Sequence, residues 1–154
     1  MARETSAGAL AYRRRAIGPE FLLVHPGGPY WARKDEAAWS IPKGLVEEGE
    51  ETWAAAQREF AEELGMAIVG EPLALEPCPT SGGKLILAWL VEADLDLGGF
   101  RSNAFEMEWP PRSGRHASFP EVDRAAYFDA AGALWKIHKG QRPILAEAIS
   151  RIHR

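Results

Sequence analysis

One cysteine is too few for a disulfide within the chain or for a zinc–thiolate cluster, so Cys78 excludes both. The four histidines, His25, His116, His138 and His153, are scattered without HxxxH or HExxH spacing, which removes the common imidazole metal motifs. Basic residues are outnumbered, 18 against 22 acidic, giving a net charge of -4 and a pI near 5.6. A chain of this charge is not expected to bind nucleic acid generally, because that needs a basic face. A small anionic substrate stays open, since a bound cation reverses the sign of a local site. The longest apolar run, residues 85–91, is far short of the ~20 residues that cross a bilayer, so no membrane partner is expected. The opening MARETSAGALAYRRR has charges at Arg3 and Glu4 and no long apolar run; it does not read as a signal peptide, and the expected location is cytoplasmic. Internal repeats and low-complexity tracts are missing too. At 154 residues the expectation is one domain, 1–154, long enough to bury a core. Oligomeric state has no signal in the sequence.

The elements that are present alternate in type. Residues 6–12 and 20–25 read as strands, and FLLV within the second is apolar throughout, as in a strand buried on both faces. HPGGPYWARKDE is a loop by its Gly and Pro content, and WSIPKG is a short extended piece. The strongest helix is predicted over residues 52–64, with Thr52 as N-cap, Glu50 and Glu51 near the positive end, and Gly65 as the stop. Trp53, Ala56, Phe60 and Leu64 recur at helical spacing and supply its buried stripe. KLILAWLVEADL is a central strand, EVDRAAYFD another, and QRPILAEAISRIHR a last helix. Strands around one strong helix, with a second helix at the end, predict a mixed β-sheet with helices on both faces.

The predicted helix carries an expensive cluster. At 100° per residue, Glu59, Glu62 and Glu63 fall within roughly a 100° arc that flanks the apolar stripe. Like charges one turn apart cost about 0.2–0.5 kcal/mol on an exposed helix, and more near a core. Residues 44–66 hold seven glutamates and a single compensating base, Arg58. A solvated acidic face is the plain alternative, but such faces usually interleave Lys or Arg. A hard divalent cation would remove the penalty, and carboxylate oxygens suit Mg2+ or Mn2+.

The wider stretch reads GLVEEGEETWAAAQREFAEELGM. Gly44 is followed after five residues by Glu50, after seven more by Arg58-Glu59-Phe60, then Glu62-Glu63 and Gly65-Met66. This 23-residue pattern, with nine fixed positions, resembles the Nudix box of the Nudix hydrolase family. Phe60 and Met66 fill its two aliphatic positions, and are less usual there. The resemblance implies an α/β/α sandwich around a mixed sheet, and hydrolysis of a nucleoside diphosphate linked to another moiety with divalent cations and water. It implies metal ligation by Glu59, Glu62, Glu63 and the Gly44 carbonyl, with Arg58 orienting the carboxylates and Glu50 holding the loop by pairing with Arg58. Catalytic roles fall to Glu59 as first candidate for the base, with Arg58 and Glu62. An extra base or ligand from beyond the box would be Glu106, Glu108 or Glu121. IPKG before the box is similar to the dinucleoside polyphosphate and diphosphoinositol branches, which would put Lys43 beside the phosphates as a substrate-binding charge. Tyr30, Trp31, Trp39 and Trp109 lie in or near loops, where a base could stack or the rings could simply pack. Arg13, Arg14 and Arg15 could extend a phosphate site or form a solvated strand end.

Three functions are consistent with this reading. The first is a Mg2+- or Mn2+-dependent hydrolase of a small nucleotide or polyphosphate, with a dinucleoside polyphosphate as the preferred substrate and nucleoside triphosphates and sugar nucleotides as alternatives. The second is a non-catalytic nucleotide-binding module, which would be expected to have lost box carboxylates. The third, an isopentenyl-type isomerase on the same fold, would need a reactive thiol, and Cys78 is its only candidate.

Overall fold

The computed structural model describes residues 4–153; Arg3 of the opening stretch and Arg154 of the expected last helix lie outside the described residues. The chain runs β1 (Thr5–Arg14), β2 (Pro19–Pro26), β3 (Lys43–Leu45), α1 (Thr52–Leu64), β4 (Leu73–Ala74), β5 (Cys78–Pro79), β6 (Leu85–Glu92), β7 (Ala104–Glu108), β8 (His116–Pro120), β9 (Val122–Asp129), α2 (Ala130–Lys136) and α3 (Arg142–Ile152). The main sheet has the order β4-β6-β1-β2-β9, with β3 also on β1 and β5 also on β6. β1 runs parallel to β6 from Thr5–Leu85 to Tyr12–Glu92, while its pairings with β2 and β3 are antiparallel. The sheet is therefore mixed, as predicted.

Alternation along the strands divides the core in two. Phe21 and Leu23 of β2 pack with Leu10, Ile86, Ile144 and Leu145, the side covered by α2 and α3. Leu22 and Val24 point the other way, to Phe60, Leu64 and Val91 under α1. Successive side chains of a strand face opposite sides, so a sheet with helices on both faces needs an apolar run and not an alternating one. FLLV is that run. Each fully buried side chain of this size contributes about 1.5–3 kcal/mol.

Helix α1 begins and ends close to its predicted bounds. Glu51, not Thr52, occupies the N-cap, in extended conformation and without a side-chain hydrogen bond to the helix. Gly65 closes it in the left-handed region, φ 72°, donating its N–H to Ala61 O. The last turn then docks on the 101–103 segment: Arg101 N–H donates to Leu64 O at 2.8 Å and Asn103 N–H to Glu62 O at 2.9 Å. These bonds satisfy carbonyls that a helix end leaves unpaired.

Several elements have no strong local signal. FEMEWPP, which carries Glu106 and Glu108, begins a separate hairpin in which β7 pairs with β8, Phe105 opposite Phe119 and Glu108 opposite His116. α2 is only seven residues and contains Gly132; Asp129 nucleates it by accepting from Gly132 N–H at 2.7 Å. β4 and β5 are two residues each and exist only as pairings to β6. No helix among the described residues is long and apolar enough to cross a membrane.

Candidate active site

The three carboxylates of α1 do not share one environment. Glu63 is buried, Glu59 keeps 13% of its side chain exposed and Glu62 38%. The stripe of Trp53, Ala56, Phe60 and Leu64 packs under the sheet, and Glu63, one position from Leu64, is carried inward with it. Burial, followed by the charge of Glu59, pushes the Glu63 carboxyl up to about 8, against a hydrogen bond from the Lys43 backbone and its ammonium. Glu59 is raised by burial first; Arg58 works against this, while Glu62 and Glu121 add to it.

Arg58 gathers the exposed side of the cluster. Its Nε and Nη2 donate to the two oxygens of Glu50 at 2.8 and 3.0 Å, a bidentate pair. Nη1 donates to Glu59 at 2.8 Å and Glu62 at 3.3 Å, and Nη2 also reaches Leu45 O at 2.9 Å. The helix is thereby tied to β3 through one side chain. Glu50 accepts the Glu47 N–H at 3.0 Å as well. These bonds, Arg58 first, hold the Glu50 carboxyl down at about 2 and push the guanidinium up.

Gly44 meets this cluster at closest range. A Cβ there would fall inside the carboxylate of Glu59, so a side chain at position 44 and Glu59 in this place exclude each other. Lys43, next along β3, lines a cleft of about 230 Å³ with Val24, Pro26, Ile41, Glu63 and Glu121. Lys43 also lines a second cleft of about 410 Å³, with Thr80, Ser81, Lys84, His138 and Gln141.

The later acidic candidates separate clearly. Glu121 stands at the bend between β8 and β9, on the cleft wall, and its charge acts on Glu59 and Glu63. It is held there because its N–H donates to Asn103 O at 2.7 Å, in the segment docked on the end of α1. Glu108 instead accepts the N–H groups of Arg112 and Gly114 at 2.9 and 3.3 Å, closing the hairpin turn. Glu106 is exposed on β7.

Other residues singled out in the sequence fall into structural roles. Trp39 is a core residue, 3% exposed, with Nε1 donating to Asp35 at 2.8 Å. Arg13, Arg14 and Arg15 are paired with Glu20, Glu92 and Asp94. Cys78 lies in the core cluster opposite to that of α1, and burial raises its thiol. His25, one of the scattered histidines, has its neighbours at residues 34 and 123, so no local signal marks its place.

Among the described residues, no three carboxylate, imidazole or thiol groups are gathered at metal-ligating distances. Glu59 and Glu62 are both engaged by Arg58 Nη1. The donor chemistry nevertheless fits a hard divalent cation. Three carboxylates occupy one helix face, Glu63 is buried without an ion pair among the described residues, and the glycine beside Glu59 leaves its oxygens room.

The family model for the NUDIX domain matches residues 2–148. Among curated proteins, the chain is similar to an RNA pyrophosphohydrolase of Caulobacter vibrioides, 43% identical over 53 residues, 31% of each chain. It is also similar to the asymmetrical bis(5'-nucleosyl)-tetraphosphatase of Caenorhabditis elegans, 39% identical over 61 residues, 40% of each. The matched stretches thus span less than half of these relatives' lengths. Two solved structures share the fold. A C. elegans Ap4A hydrolase binary complex superimposes with TM-score 0.67 and 22% identity, covering 96% of this chain and 98% of that one. The NUDIX domain of Shewanella oneidensis NrtR, complexed with ADP ribose, gives TM-score 0.68 and 13% identity, covering 99% and 90%. With a glycine-to-methionine box on β3 and α1, a mixed sheet between helices, and a family match over nearly the whole chain, this protein belongs to the NUDIX domain family.

Proposed function

We propose that this chain is a Mg2+- or Mn2+-dependent hydrolase that cleaves a phosphoanhydride bond in a nucleoside diphosphate linked to another moiety, with a dinucleoside polyphosphate as substrate. The observation that carries this reading is the acidic face of Glu59, Glu62 and Glu63, whose buried member Glu63 lines a cleft together with Lys43 and Glu121. Glu59, Glu62, Glu63 and the Gly44 carbonyl would hold the cation, after the two outer carboxylates turn from Arg58. A bound divalent cation supplies positive charge for the phosphoryl oxygens and lowers the pKa of water. Lys43 adds a point charge for the phosphate chain. Water attacks phosphorus, the bridging P–O bond breaks, and a carboxylate takes the proton. Glu59 is the first candidate for that base; Glu121, which lines the cleft with Glu63, is the candidate from beyond the box.

A two-ended substrate suits the layout. Lys43 borders both clefts, so a polyphosphate lying along it has room at each end. The resemblance to a tetraphosphatase and to an RNA pyrophosphohydrolase supports the same bond class. The isomerase reading loses its thiol, because Cys78 is buried on the far side of the sheet.

The test is product analysis with Mg2+ or Mn2+ on dinucleoside polyphosphates, nucleoside triphosphates and sugar nucleotides. Cleavage of the first group is expected, and 18O water identifies the phosphorus attacked. A folded protein that turns over none of them, yet binds them, would be a nucleotide-binding module instead.

A further inference from the structure

The pairing of β2 with β9 breaks register just before it reaches the cleft. The two strands pair residue for residue from Glu20–Asp129 to His25–Arg124, and then Pro26 stands opposite Val122. Asp123 is left over on β9, the extra residue of a β-bulge. Its effect shows in the packing. Ala125 and Tyr127 lie with the α1 cluster, Ala126 and Phe128 with the opposite one. An unbroken strand would send Val122 to the side of Ala126, yet Val122 packs in the α1 cluster and lines the cleft with Glu121. The extra residue reverses the alternation and so brings the β8–β9 bend to the cleft. A one-residue slip that absorbed it would turn Val122 to the other face and displace Glu121.

One side chain holds that extra residue. His25 is fully buried, with Nδ1 2.7 Å from Asp123 Oδ1 and Nε2 2.6 Å from Lys34 O. Both neighbours are acceptors, so the two hydrogen bonds need a proton on each ring nitrogen, with Asp123 balancing the charge. Burying a charged ring is costly unless it is paired and hydrogen-bonded, and here it is both. Arg124 Nε, 3.6 Å from the same Asp123 oxygen, holds the carboxylate from its other side. The ring itself stands edge-on to Trp39, centroids 5.2 Å apart. Two contacts pass this position on to the cleft. Gly27 N–H donates to Glu121 O at 2.9 Å, and a Cβ on Gly27 would fall 1.9 Å from Pro120 O. Glu121 is therefore two residues from the His25–Asp123 pair along either strand.

We propose that His25 and Asp123 are positioning residues: a buried imidazolium–carboxylate pair that locks the bulge and thereby sets Glu121 in the cleft with Glu63. The effect on rate rests on the phosphoanhydride reading above, with Glu121 as the base or ligand from beyond the box; the lock itself does not. On the substrate identified by product analysis, His25→Gln and Asp123→Ala should each lower kcat about tenfold with KM nearly unchanged. In a Glu121→Gln background the same changes should cost less than about twofold, because residues that act through one group do not add. Equal losses in both backgrounds mean a merely structural role and overturn the proposal, as does an unchanged kcat. Asp123 keeps 31% of its side chain exposed, so Asp123→Ala carries the test if His25→Gln does not fold.

Two measurements without substrate separate this proposal from the hydrolase reading. In 15N NMR at neutral pH, both ring nitrogens of His25 should carry protons; a bare Nδ1 or Nε2 overturns the pair. In amide hydrogen exchange, Asp123→Ala should speed the Gly27 and Glu121 amides, bonded to Glu121 O and Asn103 O, roughly tenfold while the Leu10 and Leu22 amides keep their rates. Unchanged exchange at Gly27 and Glu121, or a rise at all four, overturns the lock even if hydrolysis is intact. Absence of hydrolysis in a wild type that meets both expectations would remove the enzyme reading and leave the lock standing.

Discussion

Glu63 is where the cost of this site concentrates. In the metal-free protein its carboxyl holds a proton up to about pH 8, against an ordinary value of 4.5, so the folded state binds a proton that the unfolded chain releases. Stability should be full below pH 4.5, decline as pH rises toward 8, and level off beyond; urea melts in EDTA across this range measure it. Glu50 acts in the opposite sense: its contribution is present above 4.5 and is lost as pH falls toward 2. Glu63→Gln removes the first effect and should raise metal-free stability at pH 8 by about 2 kcal/mol. The same substitution, like Glu62→Gln, should lower kcat by more than a hundredfold with Mg2+ present. If either variant is less stable than wild type in EDTA, the repulsion account fails.

At the scale of elements, α1 and β3 act as one unit, joined by Arg58 and by the contact of Gly44 with Glu59. Gly44→Ala inserts a methyl where the Glu59 carboxylate lies, and should cut kcat at least tenfold while thermal melts shift little, because the displaced group can move toward solvent. Gly65→Ala differs in kind. It strains a residue at φ 72° and drives a Cβ against the Arg101 backbone, loosening the segment that carries Asn103 and, through it, Glu121. A loss of about 1–3 kcal/mol is expected in chemical denaturation. Phe60→Ala, on the buried side of the same helix, should cost about 3–5 kcal/mol.

For the whole molecule, the site is assembled from segments that meet only after the sheet has formed. β3 brings Lys43 and Gly44, α1 the carboxylates, and the bend after β8 brings Glu121. A cation that binds this assembly and not the unfolded chain must raise its stability, by about 2.7 kcal/mol at a hundred times Kd. Titrating Mg2+ at pH 8 should therefore raise Tm, and the rise should vanish in Glu62→Gln and Glu63→Gln. A Tm that is flat in the wild type would show that the carboxylates hold no cation.

Local spacing carried much of this in the sequence. Helical periodicity placed Trp53, Ala56, Phe60 and Leu64 on one face, and the unbroken FLLV run required a sheet covered on both sides. The fixed spacing from Gly44 to Met66 identified the family, because α-helical geometry makes residues three and four apart neighbours whatever the rest of the chain does. Short or weakly patterned pieces were beyond that reach: β4 and β5 exist only as pairings to β6, the β7–β8 hairpin takes its register from pairing across its turn, and α2 packs on β2 and β9. Tertiary structure alone decided that Glu63 is buried and Glu62 is not, that Glu121 and not Glu108 lines the cleft with Glu63, and that Trp39 belongs to the core while Tyr30 and Trp109 meet edge to face. Burial and charge proximity depend on what packs across the sheet, and no window of sequence contains both sides of that contact.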